Sequence, residues 1–124
     1  MKKLSLLVLT AILSFGLFGT SDTASAAPYT NAVVNISGAQ SKESNKIVAN
    51  GQGSISVVNS GSYYISYGIK KNGVLVGSYL SVAPGKSTAY NITTTTNAMY
   101  SLELICGSGT SCSGMGVIAN YPLN

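Results

Sequence analysis

Apolar and polar positions alternate over most of this chain, and a period of two predicts strands. The clearest case is Tyr63 to Val82, YYISYGIKKNGVLVGSYLSV, where two β-prone runs flank Asn72-Gly73. Asn-Gly between such runs is the strongest short signal for a two-residue hairpin, because both residues accept the positive φ of a type I′ turn. Pairing Lys71 with Val74 and stepping outward sets Ile69, Val76, Tyr67, Ser78, Ile65, Leu80, Tyr63 and Val82 on one face. Lys70, Leu75, Gly68, Gly77, Ser66, Tyr79, Tyr64 and Ser81 take the other, with Gly68 opposite Gly77.

The flanking segments follow the same period. Pro28 to Ser37 predicts a strand with Ala32, Val34 and Ile36 on one side, and Ser54 to Asn59 a strand with Ile55 and Val57 inward. Between them Gly38 to Gly53 is polar and rich in turn residues, with room for a brief edge strand around Ile47-Val48-Ala49. Ala83-Pro84-Gly85 is a turn. Ser87 to Thr93 then groups Thr88, Tyr90 and Ile92, and Ala98 to Cys106 sets Tyr100, Leu102 and Leu104 against Glu103. The last segment is out of phase. A hairpin closed by Cys106 and Cys112 pairs Leu104 with Gly114 and Leu102 with Gly116, yet the apolar set there is Met115, Val117, Ala119 and Tyr121. Either a β-bulge at Gly114-Met115-Gly116 restores the phase, or the two strands are not neighbours.

Short strands separated by Gly, Asn and Ser turns predict an all-β fold, a single small antiparallel β-sandwich of immunoglobulin-like type with about seven strands. The punctuation at Asn59-Ser60-Gly61, Asn72-Gly73, Val76-Gly77 and Val82-Ala83-Pro84-Gly85-Lys86-Ser87 resembles that of bacterial CARDB-type and related immunoglobulin-like modules. The resemblance implies an adhesive or accessory binding role and carries no specific site residues.

The first 26 residues read differently. Lys2 and Lys3 precede an apolar run from Leu4 to Phe18, and Ala24-Ser25-Ala26 is a small-residue cleavage site. Residues 1–26 are therefore expected to be a secretory signal peptide, and residues 27–124 the β-sandwich domain, exported in the Gram-positive manner. No membrane span is expected once the signal is removed.

Cleavage also removes both phenylalanines, so the remaining chain has no Phe, Trp, His or Arg. Its lysines are Lys42, Lys46, Lys70, Lys71 and Lys86, and its carboxylates Glu43 and Glu103. So modest a positive charge, without arginine, is not a nucleic-acid footprint. Without histidine the usual general base is missing, as are histidine-assisted nucleophiles, so no enzyme is expected. Two cysteines without imidazole make no zinc site, two carboxylates make no calcium cage, and no cofactor is expected. Cys106 and Cys112 enclose GSGTS, and in an exported domain such a pair forms a structural disulfide.

The tyrosines supply the one candidate surface. On the hairpin register Tyr64 and Tyr79 lie diagonally on the second face, beside the gap left by Gly68 and Gly77, with Leu75 and Lys70 beyond. That arrangement leaves two readings: a shallow tyrosine-walled groove for a sugar ring or a peptide, or glycines that admit a neighbouring strand or chain or only ease the twist of the ribbon. The sequence thus points to a secreted, non-enzymatic protein that binds or coats at the cell surface or matrix. Its partner is expected to be a wall or matrix polymer or an extracellular protein, its oligomeric state being open. A cationic antimicrobial or toxin-like protein, or an inhibitor of an extracellular enzyme, are the alternatives.

Overall fold

A computed structural model describes residues 27–124, and among them there are nine strands and no helix. The expected signal peptide lies outside the described residues. In chain order the strands are β1 (Asn31–Ser37), β2 (Ser41–Glu43), β3 (Ile47–Val48), β4 (Gln52–Asn59), β5 (Ile65–Lys71), β6 (Val74–Val82), β7 (Ser87–Thr93), β8 (Met99–Cys106) and β9 (Ser113–Ala119). They form two antiparallel sheets packed against each other. Sheet one has the order β1-β9-β4-β7; sheet two has β2-β8-β5-β6, with β3 also paired to β8. The count exceeds seven because Gly38 to Gly53 adds two short strands, where room for one was expected.

The period of two builds the core between the sheets. Ala32, Val34 and Ile36 of β1, Ile55 and Val57 of β4 and Ile118 of β9 face Ile65 and Tyr67 of β5 and Tyr100, Leu102 and Leu104 of β8. A hydroxyl bond of 2.8 Å between Tyr67 and Tyr90 links the sheets towards β7. Burial, with the Tyr90 bond adding, pushes the Tyr67 hydroxyl well above the usual tyrosine range.

At the hairpin Asn72 and Gly73 have φ of 51° and 84°, as a type I′ turn requires. Lys71–Val74, Lys70–Leu75 and Ile69–Val76 pair as expected, but the next pairs are Tyr67–Leu80, Ser66–Ser81 and Ile65–Val82. Gly77, Ser78 and Tyr79 thus stand against Gly68 alone, and Gly77 takes the φ of 75° that this bulge needs. A slip of two residues preserves sidedness, so Ile65, Tyr67 and Val82 still enter the core. Val76 and Leu80 have the same inward parity, yet each remains 50 % exposed, because sheet one ends at β7 without covering them.

At the last strand the second of the two expected arrangements holds. β8 and β9 are not neighbours: β8 is central in sheet two, and β9 lies between β1 and β4 in sheet one. Its pairing with both is continuous from Gly114 to Ala119, so there is no bulge. The predicted parity is reversed, with Met115 and Val117 outward and Gly116 and Ile118 inward. Glycine was the misleading signal. A Cβ on Gly116 would stand 2.6 Å from Leu102 Cδ2, and one on Gly114 2.5 Å from Ile65 Cδ1, so opposing side chains fill the space both leave. In an immunoglobulin order the last strand would sit beside the strand before it; here the chain crosses between sheets at that point.

The Cys106–Cys112 disulfide, with Cα atoms 5.5 Å apart, closes that crossing and ties the end of sheet two to the start of β9. Two buried asparagines fasten other corners. Asn59 Nδ2 donates to Tyr63 O and Val82 O while its Oδ1 accepts from Gly61 N–H. Asn120 Nδ2 donates to Pro28 O and Val48 O, and its Oδ1 accepts from Thr30 N–H.

Gly116→Ala is expected to destabilise the domain by about 1–3 kcal/mol, the usual cost of overpacking a filled core, read from urea unfolding midpoints. Replacing both cysteines by alanine should cost about 2 kcal/mol by loop-closure entropy and lower the melting temperature by roughly 8–16 °C in calorimetry.

Candidate functional site

The outer face of sheet two gathers both glutamates around one lysine. Glu43 of β2, Ser101 and Glu103 of β8, and Lys70 of β5 come into line because Glu43 pairs with Glu103 and Lys70 pairs with Ser101. Lys70 Nζ lies 3.2 Å from Glu43 Oε1 and 3.3 Å from Glu103 Oε1. Ser101 Oγ donates to Glu43 Oε2 at 2.7 Å, and Tyr79 OH donates to Glu103 Oε1 at 2.6 Å. The Ser101 bond, opposed by desolvation and aided by Lys70, holds the Glu43 carboxyl below its ordinary value. The bond to Glu43, opposed by desolvation and aided by Glu103, raises Lys70, while the bond to Glu103 raises the Tyr79 hydroxyl. Each carboxylate is engaged by a hydroxyl and an ammonium. Lys70 and the two hydroxyls thus tie both carboxylates into one network.

The tyrosine-walled groove does not form as expected. With the bulge, Gly68 faces three residues rather than pairing with Gly77 alone, and Tyr79 and Leu75 lie over it. A Cβ on Gly68 would stand 2.6 Å from Tyr79 Cε1 and 2.7 Å from Leu75 Cδ1. The gap left by the glycine is already occupied by the two side chains expected to border it. Tyr64 precedes β5 and belongs to the disulfide corner, where its carbonyl accepts from Gly107 N–H at 3.0 Å. Its ring is exposed. Of the six residues, Lys70, Tyr79, Leu75 and Gly68 are brought together, while Gly77 and Tyr64 stand apart.

Sheet one presents a different surface. None of β1, β4, β7 and β9 contains a lysine, glutamate or proline; every charged side chain of residues 27–124 lies on sheet two or in a connection. On its outer face Val33 pairs with Val117, and Met115 pairs with Val58. Val33, Met115 and Val58 are 50 %, 41 % and 38 % exposed. Asn31, Asn35, Ser56 and Asn91 surround them on the same parity. At one end, Tyr29 and Tyr121 stack with ring centroids 5.4 Å apart, and Asn31 Nδ2 donates to Tyr121 OH. Beside these rings is a recess of about 420 Å³ bordered by Pro122 and Leu123. The sequence offered no sign of this pair, because Tyr29 and Tyr121 meet only through the β1–β9 pairing.

No protein-family model matches this chain, and no curated protein matches it in sequence.

The contribution of Glu43 has a definite sign with pH. A carboxyl lowered in the folded state adds stability that is fully present above its unfolded value and is lost as pH falls through the folded one. Thermal stability should therefore drop between about pH 5 and pH 2. Glu43→Gln should flatten part of that drop at a cost near neutral pH on the order of 0.5–1 kcal/mol, as for a partly exposed ion-pair network at the surface. Melting curves of both proteins across that range provide the measurement.

Proposed function

We propose that this is a secreted, non-enzymatic protein that binds or coats at the cell surface or matrix through the outer face of sheet one. The observation that carries this reading is the separation of charge between the sheets. An uncharged face of amides and hydroxyls around an apolar patch suits an uncharged wall or matrix polymer, whose hydroxyls pair with the amides and whose C–H faces pack on Val33, Met115 and Val58. The closed network on sheet two supports a non-enzymatic role, since neither carboxylate is left without a partner. The turns shared with CARDB-type modules support an adhesive one.

The test is co-sedimentation of the purified protein with insoluble wall and matrix polysaccharide. Binding should persist at 1 M salt, where the screening length is about 3 Å, because no lysine takes part. Met115→Asp should abolish it, while Tyr64→Ala/Tyr79→Ala should leave it intact. Binding that disappears in salt would move the site to the lysines of sheet two. Growth inhibition without polymer binding would favour the antimicrobial alternative.

A further inference from the structure

The geometry points to a second interaction that lies beyond polymer binding: β7 of one copy pairs antiparallel with β1 of the next, extending sheet one edge to edge into an open filament.

Both strands are free edges among the described residues. Each is seven residues long, β1 as NAVVNIS and β7 as STAYNIT, with no charge and no proline. Their other sides pair without interruption, β1 with β9 and β7 with β4, so neither edge is broken by a bulge. Natural proteins normally blunt such edges, because a row of unpaired N–H and C=O groups is a template for another strand. Sheet two supplies the contrast within the same molecule, with Lys42 and Glu43 on its three-residue edge β2 and the Gly77 bulge in its edge β6.

A second copy is the occupant because the two edges fit each other. Asn120 N–H donates to Thr30 O, and Thr94 N–H donates to Gly51 O. Bonding alternates along antiparallel strands, so the even-numbered residues of β1 and β7 bond inside the sheet and the odd-numbered ones face the open edges. On both strands the odd-numbered side chains are also those of the outer face, since Val34 and Tyr90 point inward. Four alternating strands leave β1 and β7 running in opposite directions. An incoming β1 therefore meets β7 antiparallel, with open-edge groups against open-edge groups and inner side chains on the inner side. Full overlap sets Ala89 opposite Asn35 and Tyr90 opposite Val34. Every copy keeps the same orientation, so the contact is heterologous and does not close. The C-terminal tail lies beside the end of β7, with Pro122 near Asn91, Ile92 and Thr93, but among the described residues its hydrogen bond to β7 is to the Asn91 side chain, which accepts from Leu123 N–H, and not to the edge backbone.

The test uses the purified protein with its disulfide intact and no polymer present, so its outcome is separate from that of the polymer-binding assay. Sedimentation velocity of the wild type should show growth into chains as concentration rises. Ala89→Lys blocks the β7 edge and Asn35→Lys blocks the β1 edge, and each protein alone should be monomeric. Mixed in equal amounts they should form heterodimers and nothing larger, because one live edge remains on each. A wild type that stays monomeric, a variant that self-associates alone, or a mixture that does not dimerise would each overturn the proposal. Far-UV circular dichroism confirms folding, and Thr93→Lys replaces Ala89→Lys should the latter not fold.

Discussion

The structure depends on where the last strand goes. β9 occupies the centre of sheet one, bonded to β1 on one side and β4 on the other, while the strand just before it in sequence is central in sheet two. A single crossing thus joins the middles of the two layers. That crossing is short, and the Cys106–Cys112 bond closes it. Gly114 and Gly116 then let β9 lie close beneath sheet two, with Ile65 and Leu102 in the space two side chains would have taken. Larger residues there would push the sheets apart at the point where the chain is most constrained. The neighbouring core positions, Val34, Val57 and Leu104, are all buried and would feel the shift.

Much of this was legible residue by residue. β1, β4 and β8 show the alternation the sequence predicts, because one face of each is buried and the other meets polar surroundings. The first three hairpin pairs follow from Asn72-Gly73 alone. What could not be read shares one cause: hydrophobic periodicity registers side chains and is silent where there is none. In β9 the two inward glycines counted as blanks, so the outward Met115 and Val117 stood out as the apolar set. At Gly68 an absent side chain looked like a vacancy, although Tyr79 and Leu75 fill it once Gly77 permits the bulge. The reverse failure concerns Asn59 and Asn120. Nothing in the sequence marks either as buried, and only their convergent backbone partners explain why they are the most buried amides of the domain.

The candidate surface was hidden for a different reason. Each strand of sheet one is visibly uncharged in the sequence, but so are many single strands. The observation acquires meaning only when topology shows that β1, β4, β7 and β9 form one layer. Sheet two, by contrast, collects Lys70, Glu43 and Glu103 on its outer face. The contrast is not a requirement of folding, since either outer face would tolerate scattered charge at little cost. Both layers bury their inner faces in the same core, so the difference between their outer faces lies outside what stability demands.

The edges of the two sheets differ more sharply still. An exposed edge without charge or proline is a liability to a monomer, and sheet two shows that this chain contains the usual remedies. Sheet one uses none of them on either side. The parity of its open edges is a consequence of strand number. In a regular antiparallel sheet the face carried by the bonding residues alternates from one strand pair to the next. An even number of strands therefore returns to the same face at both edges, whereas an odd number would present opposite faces and turn each added copy over. The placement of β9 between β1 and β4 makes the number four. With β9 beside β8 instead, sheet one would have three strands, its edges would mismatch, and the uncharged faces of successive copies could not lie on one side. The strand that sets the core is thus also the strand that makes the two edges complementary.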